Sequence, residues 1–295
     1  MQLVHIIPKI LLKHKLINLL CSLGLQDRVT NIQFNEISNI FIDLLDPEPR
    51  NVFIKKIFEP DFFEVANCFL PNDGTFFDVG ANVGFCTFGL LPKKPNITYH
   101  IFEANHELIY LIKKSIDLCS VSSCFVVNAC VAEKSGETQF YLSKVQTGQS
   151  HVAVGKEKGI QVTNVVLDEY CQEKSIKNID FVKVDLEGNE IPALKGFQKS
   201  LSSQNISALY IEVIPENQER YNFSTFELLS YLESLGYSLF LCKSNDFGSF
   251  GNLPVQKKFK HGTLMVSKFL AKDYPLSFAT DVLVVSKKYL NNLPS

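Results

Sequence analysis

Five carboxylates in this 295-residue chain stand at or near the ends of short apolar runs: Asp78, Glu103, Asp185, Glu187 and Glu212. The first opens the segment Asp78-Val79-Gly80-Ala81-Asn82-Val83-Gly84, of the form D-x-G-x-N-x-G. An apolar run stops there, Gly80 permits a tight turn and a close backbone approach, and Gly84 permits a helix to pack closely behind it. This is not the G-x-G-x-x-G spacing of dinucleotide sites, so no pyrophosphate cradle at a helix N-terminus is required. An acid two residues before the first glycine suits a cationic ligand group; the alternative is that Asp78 caps the turn that follows it. Glu103 comes nineteen residues after Gly84 and ends the next apolar run, where a carboxylate can accept both hydroxyls of a ribose. Asn128, near the end of a third run, is expected beside the adenine edge of a nucleoside ligand.

The segment Asp185-Leu186-Glu187-Gly188-Asn189-Glu190 follows a fourth run. In an extended segment, positions 185 and 187 point the same way. They could then act as an acid/base pair or a metal-binding pair, unless one of them caps the helix that begins near Glu190. An acid/base role is the expectation, with no metal. Glu212, in the apolar run YIEV, is costly unless partnered and could face the same crevice. His261 is a lone histidine in a long connection, more in keeping with a solvated loop than with a base.

Positioning these groups requires alternating strands and helices. Residues 75–79, 97–103, 124–131, 179–185, 206–213, 237–243 and 281–287 read as seven strands, with 138–143 as an added one. Residues 82–91, 107–118, 190–196 and 225–235 read as helices, the last ended by Gly236. The alternation predicts an α/β, Rossmann-like fold: a seven-stranded, mostly parallel sheet covered by helices on both faces, with an antiparallel end. Ligands in such sheets bind at the carboxyl ends of the strands, at the topological switch point, where all five acids would meet. Residues 1–70 read as a helical N-terminal extension broken by Asp46–Pro49, residues 71–295 as the main domain, and 244–280 as an insertion between the last two strands.

The composition is globular, with 46% hydrophobic and 20% charged residues. A net charge of −2 supplies no field for a nucleic-acid backbone, so no nucleic-acid partner is expected. None of the eight cysteines falls in a C-x-x-C pair, which predicts reduced thiols and a cytoplasmic protein. Lys9, Lys13 and Lys15 interrupt the apolar N-terminus and exclude a membrane span. That stretch reads as an amphipathic helix that packs on the domain, or alternatively makes a weak membrane-surface contact through residues 1–20.

The segments FFDVGANVGFCTF (76–88), YHIFEAN (99–105), VVNACVAEKSGETQFYLS (126–143) and IDFVKVDLEGNEIPALKG (179–196) together resemble the FkbM-type methyltransferases. In the last segment Ile179, Asp180, Lys183, Asp185, Glu187, Gly188, Glu190, Leu194 and Gly196 meet the family's pattern. The resemblance covers roughly residues 72–240. It implies a class I methyltransferase fold, S-adenosyl-L-methionine as cofactor, and O-methylation of a hydroxyl on a sugar, glycan or other small-molecule acceptor. Gly80, Asn82 and Glu103 carry over as cofactor residues, joined in our reading by Asp78, Gly84 and Asn128. Asp185 and Glu187 carry over to the mouth of the active site. Rival readings are a non-catalytic module on the same fold and an NAD-dependent oxidoreductase; the absent G-x-G-x-x-G disfavours the second. Oligomeric state is not legible.

Overall fold

The computed structural model describes residues 3–119, 121 and 123–293, with the side chains of the first helix described from Leu12 onward. The chain begins with α1 (Leu3–Ser22), a hairpin of β1 (Val29–Phe34) and β2 (Ser38–Asp43), α2 (Pro47–Lys55) and α3 (Pro60–Phe69). Then come β3 (Thr75–Val79), α4 (Phe85–Leu90), β4 (Thr98–Glu103), α5 (His106–Cys119), β5 (Cys124–Asn128), β6 (Cys130–Val131), β7 (Gly136–Tyr141), β8 (His151–Val152) and β9 (Ile160–Val165). α6 (Leu167–Glu173), β10 (Ile179–Val184), α7 (Glu190–Lys195), α8 (Gln198–Ser202), β11 (Ile206–Val213), α9 (Pro215–Arg220) and α10 (Thr225–Ser234) follow. The last elements are β12 (Tyr237–Leu241), β13 (Val255–Lys258), β14 (Thr263–Phe269), β15 (Thr280–Ser286) and α11 (Lys287–Asn291).

The main sheet runs β13-β14-β12-β15-β11-β10-β3-β4-β5. β11, β10, β3, β4 and β5 are parallel; β15 lies antiparallel between β11 and β12. The α/β fold with an antiparallel end is therefore as expected, but the sheet has nine strands instead of seven. The difference lies in residues 244–280, which contain the hairpin β13–β14. β14 pairs with β12 and covers what would otherwise be an open sheet edge.

Neighbouring residues of each central strand feed opposite faces. Phe76, Phe181 and Tyr210 join one hydrophobic cluster, and Phe77, Val182 and Leu209 the other. A second, four-stranded sheet, β6-β9-β7-β8, stands beyond the carboxyl ends of the parallel strands, and its residues Val131, Phe140 and His151 line the cavity found there.

The reading of residues 1–70 as a mostly helical extension misses the hairpin at 29–43. Ile32, Phe34, Ile40 and Ile42 are fully or nearly fully buried in the same cluster as Phe76 and Phe181. The turn between the two strands places Asn35 and Glu36 at φ of 46° and 72°, a left-handed pair that usually announces itself as Asn-Gly. Glu at the second position hid it. The Phe41 amide donates to the Ser115 hydroxyl of α5 at 2.9 Å, fastening the hairpin to the sheet's helical layer.

Candidate active site

The turn after β3 meets the loop after β10 at the switch point of the sheet. The Gly80 and Ala81 amides both donate to the Phe102 carbonyl at 3.0 Å, and the Asp185 amide donates to the Val79 carbonyl at 3.0 Å. Gly80 is at φ 81°, and a Cβ there would fall 1.8 Å from the Asp185 carbonyl oxygen. The close backbone approach expected at Gly80 is thus made by the neighbouring strand's loop. Gly84, at φ 92°, would set a Cβ 2.8 Å from the ring of Phe88, a residue of the helix it caps, so a glycine there is required by the left-handed backbone and that close ring. A cavity of about 720 Å³ opens beside this crossing, within the range of small-molecule and cofactor sites.

Asp78 is 1% exposed and lines the cavity. Its Oδ2 accepts from the Thr87 hydroxyl at 2.6 Å and from the Thr87 amide at 3.2 Å. Burial pushes its carboxyl up to about 6, against the opposing effect of Thr87. Glu103 is gripped at both oxygens: Oε2 accepts from the Asn82 amide at 2.8 Å and Oε1 from the Asn105 amide at 2.7 Å. Burial again raises its carboxyl, to about 7. A carboxylate so fixed keeps one lone pair free on each oxygen, the geometry that a vicinal diol needs. Asn82 itself sits at φ 53°. Of the expected cofactor residues, Asp78, Gly80, Asn82 and Glu103 line the cavity, whereas Gly84 and Asn128 do not. The Asn128 side-chain amide donates to the carbonyls of Glu103 and Ala104 at 2.9 and 3.0 Å, tying β5 to the end of β4, while Ala129, Cys130 and Val131 line the cavity in its place.

Asp185 and Glu187 do come together, but through a turn and not an extended segment. Glu187 is left-handed at φ 53° and Gly188 at φ 102°. Neither acid caps α7. Glu190 organises the loop instead: it is 1% exposed, its Oε1 accepts from the Leu186 and Gly188 amides at 3.1 Å each, and its Oε2 accepts from the Gln218 amide group at 3.1 Å. Glu212 joins from β11, so that Asp185, Glu187 and Glu212 each present an oxygen within 4.8 Å of the others. Burial, and then the neighbouring Asp185, pushes Glu187 up to about 8 and Glu212 up to about 10. A proton on this trio relieves the like-charge crowding, as a divalent cation would. The Asn217 side chain donates to Glu187 Oε2 at 2.8 Å, and Arg220 donates to the Glu187 carbonyl at 3.1 Å.

Below the trio lies a buried cation that the sequence reading gave no role. Lys183 Nζ is 3.2 Å from Asp185 Oδ2 and 3.1 Å from Asp281 Oδ1, and Asp281 also pairs with Lys243. Burial opposes the charge on Lys183, yet Asp185 and Asp281 hold its pKa well above the ordinary value. A lysine inside a buried strand is itself a signal of such pairing.

The cavity's outer wall is also contributed by distant chain segments. The Thr147 amide donates to Asp46 Oδ2 at 3.0 Å, its hydroxyl donates to the same oxygen, and that hydroxyl lies 3.2 Å from Asn82 Oδ1. Gln146 donates to Glu48 Oε2 at 3.3 Å. The Asp46–Pro49 run, read only as a helix breaker, thus holds the 146–149 loop over the turn at Asn82. His261 lies outside the cavity; its amide donates to the Cys68 carbonyl at 3.2 Å.

Comparison with known proteins gives a coherent result. Residues 78–239, more than half of the chain, match the model of the methyltransferase FkbM domain. The hexuronic acid methyltransferase AglP of Haloferax volcanii is 26% identical over 133 residues, 45% of this chain and 54% of that protein. The chain thus spans about half the length of this curated relative. Among solved structures, TrmK of M. capricolum, in complex with S-adenosyl-homocysteine, is 14% identical with a TM-score of 0.39 over 79% of this chain and 70% of that one. Precorrin-6y C5,15-methyltransferase from Geobacter metallireducens GS-15 is 10% identical with a TM-score of 0.42 over 78% and 88%. With the glycine turn, the fixed Glu103 and the D-x-E-G loop all inside the matched span, the chain belongs to the FkbM family of methyltransferases.

Proposed function

We propose that this protein methylates a hydroxyl of a sugar or related polyhydroxylated acceptor, with Glu187 as the general base. The family's methyl donor is S-adenosyl-L-methionine. When bound, it supplies an electrophilic methyl group on a cationic sulfonium. The residues present suit it: Glu103 offers a fixed carboxylate to the ribose diol, Asp78 and its acidic neighbours suit the positive charges, and Gly80, Asn82 and Gly84 shape the turn. The observation that carries the reading is the convergence of Asp185, Glu187 and Glu212 in the cavity that Gly80 and Asn82 also line.

Hydroxyls are weak nucleophiles, and a positioned base removes part of that barrier. Glu187, held by Asn217 and raised by burial and Asp185, is a stronger base than an ordinary carboxylate once ionised. Asp185, paired with Lys183, stays available as an acceptor that orients the hydroxyl. The 146–149 loop, latched by Asp46 and Glu48, helps to exclude water. Assay of methyl transfer from the labelled donor to a panel of glycosides tests the reading; no transfer to any hydroxyl acceptor would count against it.

A pH dependence follows. The ionised form of Glu187 is the one that accepts a proton, so at saturating donor kcat/KM for the acceptor is expected to rise about tenfold per pH unit below about pH 8 and level off above it. Glu187→Gln removes this limb. Asp185→Asn removes a like-charge neighbour and shifts the limb of the residual activity to lower pH. A flat profile in the wild type would exclude Glu187 as the base.

The charge of the cavity also discriminates between acceptors. Seven carboxylate side chains line it, against Lys183, Arg220 and His151. Lys183 is taken by two aspartates, Arg220 is bound to the Glu187 carbonyl and to Asn217 at 3.2 Å, and His151 faces Glu157 at 3.1 Å. Above about pH 8, where Asp78, Glu103 and Glu187 are ionised, a neutral hexoside is therefore expected to have a kcat/KM about tenfold or more above that of the matching hexuronide. Preference for the hexuronide in a direct competition assay would refute this.

A further inference from the structure

The helix α1 buries one side and leaves a leucine stripe on the other. Ile17 packs inward, and the buried Arg50 of α2 donates to His14 Nδ1 at 2.8 Å and to the Asn18 side chain. Leu12, Leu16, Leu19 and Leu23 are 67%, 51%, 53% and 62% exposed. At 3.6 residues per turn these four fall within an arc of about 60°, with Lys13 about 90° to one side and Lys15 about 70° to the other. Both lysines are exposed, and no acidic residue occurs before Asp27. Leu25, 71% exposed, continues the apolar surface past the helix end. Lys9 lies outside the residues whose side chains are described.

We propose that this face seats α1 in the plane of an anionic lipid surface. An apolar stripe flanked by lysines on both sides matches the boundary between acyl chains and negatively charged headgroups. A protein partner would have to bring its own acids to the two flanks, whereas an anionic bilayer presents them along its whole surface. No helix among the described residues is long and apolar enough to cross a membrane, so the contact is peripheral. α1 packs on α2, the helix whose Glu48 lines the cavity, so docking would tether the site to the lipid surface. The inference rests on α1 alone and stands or falls separately from methyl transfer.

Flotation of the full chain with phosphatidylcholine vesicles, with and without phosphatidylglycerol, tests it. Binding is expected with the anionic vesicles and to weaken with added salt. Leu16→Glu combined with Leu19→Glu is expected to lower binding about tenfold or more. Lys13→Gln and Lys15→Gln should each lower it about fivefold. Circular dichroism melts of the variants guard against loss of fold. Equal binding to neutral vesicles, no binding to either, or a solution dimer that Leu16→Glu dissociates in light scattering would each overturn the proposal.

Discussion

Replacing Glu187 with Gln is expected to lower kcat about 10²- to 10⁴-fold while S-adenosylhomocysteine binds within a few-fold of wild type. The range is that of a positioned general base. The substituted amide keeps the side-chain volume and can still accept from Asn217, so the left-handed turn at 187–188 survives. Glu103, Asp78 and the glycine turn are untouched, and cofactor affinity should therefore remain. Asp185→Asn is expected to lose turnover as well, by a different route. It keeps the shape but removes the charge that Lys183 pairs with and that orients the acceptor. Lys183 retains Asp281, so the fold tolerates the change. Kinetics at saturating donor, with a cofactor titration on each variant, check both expectations. Full activity in either variant removes that residue from the proposed chemistry.

Lys183→Met is expected to cost about 3–5 kcal/mol of stability, the scale for breaking a buried ion pair from one side. The Lys183 and Asp281 side chains are only 3% and 8% exposed, and the lysine also lies 5.4 Å from the centre of the Tyr210 ring. Without it, Asp281 keeps Lys243 alone, and Asp185 faces Glu187 and Glu212 with no counter-charge from below. Burial would raise the Asp281 carboxyl, yet Lys183 and Lys243 hold it below its ordinary value. A depressed carboxyl stabilises the fold above its unfolded pKa and loses that stabilisation as pH falls through the folded one. The gap between wild type and variant should therefore persist at neutral pH, narrow in acid below the ordinary carboxylate range, and narrow again in alkali above the ordinary lysine range. Urea unfolding at several pH values measures this. A variant as stable as wild type at neutral pH would mean that the three-acid floor of the cavity does not depend on Lys183.

The parts of the site that lie close together in sequence were legible there. The D-x-G-x-N-x-G turn, the carboxylate ending β4 and the D-x-E-G loop each combine an apolar run with a polar stop, and the βα alternation sends all three to one edge of the sheet. The convergence of Glu212 followed from the cost of a lone acid in an apolar strand. What the sequence hid was made by distant chain. Asp46 and Glu48 meet Thr147 and Gln146 across 101 and 98 residues, and no local spacing encodes such a contact. Lys183 and Asp281, on non-adjacent strands, carried only the hint that charges in buried strands must be paired. Asn128 shows a related limit: a residue at a strand end can face the ligand or staple the neighbouring strand, and its side-chain amide is engaged by two carbonyls at the end of that strand. In the first seventy residues, the alternation of Ile32 and Phe34 with Asn31 and Gln33 was present. An Asn-Glu turn in place of Asn-Gly kept the hairpin from standing out against its helical flanks.

The central claim is that the cavity beside Gly80 and Glu103 takes S-adenosyl-L-methionine as methyl donor. Isothermal titration of the full chain with S-adenosylhomocysteine, with NAD titrated in parallel, tests it most directly. Binding of S-adenosylhomocysteine at about micromolar Kd, lost on Glu103→Ala and with no heat from NAD, is the expected result. Binding of NAD in its place, or no binding of S-adenosylhomocysteine with and without a polyhydroxylated acceptor present, would contradict it.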